Sequence, residues 1–280
     1  MLVLSRMSVL SPVVTPPRRR RWRRFWYGLL LVVLVGIGVA VWWLLRPKHY
    51  PTQGTLLTSD DLPGSFSVFY FPPPEPPARA IILIGSGDGG WSYWEEKVCQ
   101  FLARENFAVV GWDTRAFAQS PYDHPALAKA FSAAISAARE ELGEDSAQLP
   151  VIYGGWSTGA EQSVPAAASE FHDPALVGLL LVAPGGRGRF GLEKSDLLGI
   201  TPTGPGTFAL GDYATALRPF RIAQLHAGID PLDNITWIDA HPGPHRLIVQ
   251  PKSLHDFGGA GETFQTTTLR DALAWLLAKS

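Results

Sequence analysis

The sequence has one cysteine, Cys99, in 280 residues. A lone thiol forms no internal disulfide, so a body exported to an oxidising compartment must be held by its core alone. Cys99 falls on the apolar face of the stretch VCQFLA, where a packed side chain is expected rather than a nucleophile. Acidic residues are absent from the first 46 positions, which carry eight arginines. The remainder holds 16 basic and 25 acidic residues, a balance that argues against a nucleic-acid-binding surface. No G-K-S/T follows the glycine-rich turn GSGDGGW, and its glycine spacing does not fit a dinucleotide fingerprint, so nucleotide binding is not expected. His241 and His245 flank Pro-Gly-Pro and so do not share one helical face. No metal and no cofactor is expected, and no internal repeat is present.

Residues 25–45 contain no charge. As a helix they span roughly 30 Å, the thickness of a bilayer's hydrocarbon core. Six arginines precede the run between positions 18 and 24, against Arg46 and Lys48 after it. The positive-inside rule places the N-terminus in the cytoplasm. Trp22, Trp26, Tyr27, Trp42 and Trp43 suit the two interfaces. The reading is a basic cytoplasmic tail over residues 1–24, an uncleaved signal anchor over 25–45 in the bacterial inner membrane, and a periplasmic body. A cleaved signal peptide is the rival, with Gly38-Val39-Ala40 as the cleavage site. The bulky WWLL after Ala40 favours the anchor.

Residues 46–64 read as a linker and 65–280 as one domain. In that domain short apolar runs alternate with amphipathic ones. SFSVFYF, ARAIILIG, FAVVGWD, PVIYGG, LVGLLLVA, FRIAQLHA and HRLIVQP read as strands. YWEEKVCQFLARE, PALAKAFSAAISAAREEL, STGAEQSVPAAAS and TTTLRDALAWLLAK read as helices. This is the pattern of an α/β fold, a mostly parallel sheet covered by helices on both faces and preceded by one transmembrane helix. Residues 184–212, rich in Gly and Pro, break the alternation as a loop or small cap.

Ligands of open α/β sheets bind beyond the carboxyl ends of the strands. There the strand at 150–154 meets Gly155-Trp156-Ser157-Thr158-Gly159. A turn this sharp presents the Ser157 hydroxyl above the sheet at a helix N-terminus, where it can attack a carbonyl carbon once a base removes its proton. A plain helix cap is the alternative. GSGDGGW brings bare backbone N–H groups to the same end. The Asp88 amide, with Gly87 next, and the Thr158 amide are the candidate oxyanion donors. GIDPLD supplies an acid, Asp230, with Asp233 as fallback and Asp239 weaker. His255 follows the last strand. The order Ser157, Asp230, His255 is that of an α/β-hydrolase triad. Trp91, Trp156, Arg187 and Arg189 are weaker candidates for substrate contact, the two arginines through a lipid phosphate.

DTRAFAQS and LHAGIDPLD resemble the corresponding loops of many α/β hydrolases. More specifically, GSGDGGW with VVGWDTRAF, GGWSTGAE and LHDF resembles the VirJ/AcvB family of bacterial virulence-associated hydrolases over about residues 78–280. The resemblance implies Ser157 as nucleophile, an oxyanion donor in the Asp88 loop and His255 as base. It also implies an exported enzyme, with the aminoacyl ester of lysyl-phosphatidylglycerol as substrate. The family's G-Y-S-F-G-A-D is GWSTGAE here, and its H-H-F-D-G-D-Y is HDFGGAGETF. A non-catalytic accessory of an envelope or secretion system and a generic carboxylesterase are the alternatives.

Overall fold

The computed structural model describes residues 18–45, 50–64, 66–257 and 264–278. Residues 1–17 of the expected basic tail over 1–24, and the start of the linker, residues 46–49, lie outside the described residues. The chain forms two units, Met1–Arg46 and Pro47–Ser280.

In the first unit helix α1 runs over Arg18–Leu45. Its segment Trp22–Trp42 is 21 residues long, and every residue in it is exposed. It is apolar on all sides, whereas a helix that packs on a soluble core is apolar along one stripe. Among the described residues it is the one helix long and apolar enough to cross a membrane.

The second unit is built on an eight-stranded sheet. Its strands are β1 (Thr55–Leu57), β2 (Val68–Phe71), β3 (Ile81–Gly85), β4 (Ala108–Trp112), β5 (Val151–Trp156), β6 (Leu176–Val182), β9 (Arg221–Ala227) and β10 (His245–Gln250). Their spatial order is β1-β2-β4-β3-β5-β6-β9-β10. The β1–β2 and β2–β4 pairs are antiparallel, and all pairs from β4 to β10 are parallel. Strand β1 lies in what the sequence reads as linker. Its three residues are too few to set up a recognisable alternation.

The central strands are apolar at every position because both faces are covered. Alternate side chains feed two cores. Ile81, Leu83, Val110, Tyr153, Leu179 and Leu181 face α4 (His124–Leu142) and α5 (Thr158–Ala168). Ile82, Ile84, Val109, Ile152, Leu180 and Val182 face α2 (Tyr93–Arg104) and α7 (Arg270–Leu276). Two short helices complete the chain order, α3 (Thr114–Phe117) and α6 (Thr236–Asp239). A π-helical turn, Phe264–Leu269, precedes α7. Cys99 is fully buried in the second core, where burial pushes its thiol well above the ordinary range. It is a packing residue, as the sequence implies.

Residues 184–212 contain a small antiparallel pair, β7 (Arg187–Arg189) with β8 (Thr207–Ala209). Arg189 organises it. Its guanidinium lies 3.1 Å from Asp196 and 3.0 Å from Glu193, and it donates to the carbonyls of Thr203 and Pro205. Arg187 donates to the Pro202 carbonyl and the Thr207 hydroxyl. The expectation that these two arginines serve a lipid phosphate is therefore corrected: their donors hold the segment together.

Candidate active site

Strand β5 passes into α5 through Ser157, whose φ of 52° and ψ of −121° lie outside the usual regions for a residue with a side chain. Such a conformation costs about 1–3 kcal/mol and persists only where its surroundings enforce it. Here the Ser157 N–H donates to the Val182 carbonyl at 2.9 Å, and the Ser157 carbonyl accepts from the Glu161 N–H at 3.0 Å. Glycines make the turn possible. A Cβ on Gly159 would stand 2.3 Å from the Gly85 carbonyl, and one on Gly155 would stand 2.6 Å from the Gly159 carbonyl carbon. The sequence marks Gly155 and Gly159. Their packing partner Gly85 comes from β3 and becomes visible only in three dimensions.

The glycine-rich loop after β3 lies directly over this turn. A Cβ on Gly87 would stand 3.3 Å from the Trp156 ring and 3.7 Å from Ser157 Cβ. Glu95, fully buried at the start of α2, fixes the loop: it accepts from the Gly87 N–H at 3.2 Å and from Ser92 N–H at 3.0 Å. Ser92 and Glu95 form the capping box of α2. With the Gly87 amide occupied, the next amide, that of Asp88, makes no hydrogen bond among the described residues. Thr158 is the first residue of α5, and an amide there has no acceptor within the helix. Both expected donors thus remain available. Trp91 does not reach the site: it is fully buried against Phe69 and Phe71, and its indole N–H donates to Glu96 at 3.0 Å. That expected substrate contact is corrected.

His255 Nδ1 lies 2.5 Å from Asp230 Oδ2. The Asp230 side chain is 2% exposed and the imidazole 26%. With Nδ1–H directed at the carboxylate, Nε2 is the nitrogen left to accept a proton. The loop that carries His255 is tied to the serine turn. The Trp156 indole N–H donates to the His255 carbonyl at 2.7 Å, and the two rings lie 5.1 Å apart. Two residues beyond His255, buried Phe257 anchors the loop in the core, with a φ of 51°. The fallback acid, Asp233, is engaged elsewhere: its Oδ2 lies 2.7 Å from His226 Nδ1 and accepts from the Ala227 N–H. Asp239 closes the short helix α6.

Two carboxyls near the serine sit above their ordinary range. Burial pushes Asp88 up, opposed by the Gly89 N–H, His255 and Arg115. Burial pushes Glu161 up to about 8, opposed by the Gly185 N–H and reinforced by Asp88 and Asp196. Glu161 lies one helical turn beyond Ser157 and accepts from Gly185 at 2.9 Å. Four features of the site are not marked by the sequence pattern above: Glu95, Glu161, Trp156 as a tie to the histidine loop, and Phe257. Only Glu95 carries a readable signal, the S-x-x-E spacing of a capping box.

Residues 79–203 match the profile of a family described as bacterial virulence protein (VirJ). The chain resembles that family over this segment. No curated protein matches the sequence. Among solved structures, Thermogutta terrifontis esterase 2 is 16% identical with a TM-score of 0.56, covering 84% of this chain and 100% of its own. A dienelactone hydrolase, described as putative, from Klebsiella pneumoniae is 14% identical with a TM-score of 0.59, covering 82% and 96%. A membrane phospholipase A described as a bacterial virulence factor is 14% identical with a TM-score of 0.58, covering 92% and 100%. The second unit therefore has the α/β-hydrolase fold, and its similar structures are esterases and hydrolases.

Proposed function

We propose that the chain is a membrane-anchored serine hydrolase that cleaves an ester, with Ser157 as nucleophile, His255 as general base and Asp230 as the acid that orients it. The observation that carries this reading is the Asp230–His255 contact of 2.5 Å, on a loop bonded to the residue next to Ser157. His255 Nε2 removes the hydroxyl proton as Ser157 Oγ attacks the ester carbon. The Asp88 and Thr158 amides hold the oxyanion of the tetrahedral intermediate. Collapse expels the alcohol, which takes the proton from Nε2. Water, activated by the same imidazole, then releases the acid and restores Ser157.

The narrower substrate in this proposal is an aminoacylated phospholipid such as lysyl-phosphatidylglycerol. Its support is twofold: the match to the virulence-protein family and the apolar helix α1. One similar structure is that of a membrane phospholipase A, consistent with a lipid ester. In this proposal α1 anchors the body to the inner membrane with the arginine-rich end in the cytoplasm.

A fluorophosphonate probe is expected to label the full-length protein, and Ser157→Ala to abolish labelling. Labelling that persists in the variant overturns Ser157 as nucleophile. Membrane lipids of deletion and parent cells test the substrate: accumulation of lysyl- or alanyl-phosphatidylglycerol supports the narrower reading, and an unchanged lipid profile returns it to a generic esterase.

A further inference from the structure

The rim around the Asp230–His255 pair carries an unusual share of exposed aliphatic side chains. Leu198, Ile200, Ile229, Leu232 and Leu254 are each 45–58% exposed. They come from three segments that meet around one site. A Cβ on Gly199, between Leu198 and Ile200, would stand 3.4 Å from both Leu232 methyl carbons. The Leu232 N–H donates to Asp230 Oδ1 at 3.0 Å. The Ile229 N–H donates to the Ser253 carbonyl at 3.2 Å, next to Leu254, and Leu254 adjoins His255. Single exposed aliphatics are common on protein surfaces, but a contiguous patch needs a cause. These five together expose on the order of 500 Å², the size at which a surface patch is usually functional.

We infer that this rim is a bilayer-docking surface, which lies on the headgroup and upper acyl region of a membrane and brings the Ser157 site to esters that remain in the lipid. Three features select a bilayer over a protein partner. The residues are aliphatic, whereas protein interfaces are enriched in aromatics and Arg. Exposed Lys194 and Lys252 flank them, suited to anionic lipid phosphates. Glu193 and Asp196 beside Lys194 are both paired with Arg189, so the two bases and two acids of this flank balance and do not repel an anionic surface. The patch also surrounds the proposed catalytic pair and lies at the same end of the sheet, so that docking and substrate entry share one face. The inference rests on the membrane-lipid reading above for its substrate, but its test does not depend on turnover.

The test uses the full chain reconstituted into phosphatidylglycerol-containing vesicles, with an environment-sensitive fluorophore on Ile200→Cys or Leu254→Cys. Cys99 is fully buried and stays unlabelled in the folded protein. Control labels go on Glu141→Cys and Glu170→Cys, exposed positions that belong to neither the rim nor the site. Spin-labelled lipids are expected to quench both rim labels several-fold more than the controls. Adding Lys252→Glu and Leu232→Asp is expected to bring that quenching down to the level of the controls. Rim labels quenched no more than the controls overturn the proposal, as do rim labels shielded from both lipid and aqueous quenchers, the signature of a protein partner. Fluorophosphonate labelling of Ser157 in the same samples reports the hydrolase reading independently, so either can fail alone.

Discussion

Replacing Glu161 by Gln is expected to make the protein more stable at alkaline pH and to leave it nearly unchanged at acid pH. Glu161 is buried one helical turn beyond Ser157, with the Gly185 N–H on one oxygen and the carboxyls of Asp88 and Asp196 in electrostatic range. Its pKa in the fold is about 8, against an ordinary value of 4.5. Between these values the folded state holds a proton that the unfolded state has released. Stability therefore falls as pH rises, beginning near the unfolded value and ending above the folded one. The separation of some 3.5 units corresponds to about 5 kcal/mol over the whole window, and to about 3 kcal/mol by pH 7. Gln cannot ionise, and its carbonyl oxygen can still accept from Gly185. The wild-type and Glu161→Gln curves should therefore converge near pH 4 and separate progressively up to pH 8–9. At pH 8 the variant's midpoint should stand on the order of 10 °C higher. Thermal unfolding of the full-length protein in detergent, followed by circular dichroism at half-unit pH steps, gives both curves. Parallel curves, or a variant that loses stability mainly at high pH, refute the reasoning. Either result means that Glu161 is ionised in the fold and balanced by a positive charge.

Three further outcomes are expected. Asp230→Asn should lower kcat by about 10³–10⁴-fold with the melting temperature nearly unchanged, because it disturbs the tautomer of His255 and not the core; ester hydrolysis and melting measured together decide this. Gly159→Ala should destabilise by about 3 kcal/mol or more, since its methyl would fall 2.3 Å from the Gly85 backbone and nothing flexible can yield; denaturant titration reads the loss, and a near-neutral result contradicts the packing described. Trp156→Phe removes the hydrogen bond to the His255 carbonyl and should lower kcat more than it raises KM, by about fivefold, as expected for the loss of roughly 1 kcal/mol of positioning.

Local chemistry made much of this architecture legible. The buried strands announce themselves as short apolar runs because both faces of the sheet are covered, and α4 does so through its long apolar periodicity. Ser157 is readable because a strained turn needs glycine on both sides. What stayed hidden depends on contacts between distant segments. Gly85 looks like any glycine that ends a strand until its carbonyl is found against Gly159. Trp91, in a glycine-rich loop at the carboxyl ends of the strands, reads as a substrate contact, yet the loop folds inward and seals it behind Glu96. Arg187 and Arg189 look available for an anion because the carbonyls that engage them belong to residues 14–16 positions further on, in a stretch without periodicity. Glu161 sits in a helix whose sequence gives no sign that this position faces inward.

The loop after β9 carries two aspartates three residues apart, and each has its own histidine. Sequence order alone cannot choose between them, but their surroundings do. Asp233 is wholly sealed, accepts from the Ala227 N–H and faces His226, which projects from within β9 itself. That pair closes the loop onto its own strand, and burial raises the Asp233 carboxyl above its ordinary range. Asp230 also turns back into its own loop, accepting from the Leu232 N–H, but its second oxygen faces outward to a histidine from a different strand end. The imidazole on Asp233 is held within the sheet, while the one on Asp230 is a quarter exposed beside the serine turn. The two pairs therefore differ in what breaking them should do. Asp233→Asn should lower the melting temperature and reduce activity only in proportion to the folded fraction. Asp230→Asn should leave folding alone and remove turnover. If the two variants exchange these effects, the sealed pair is the working one, and the acid assigned to His255 is wrong.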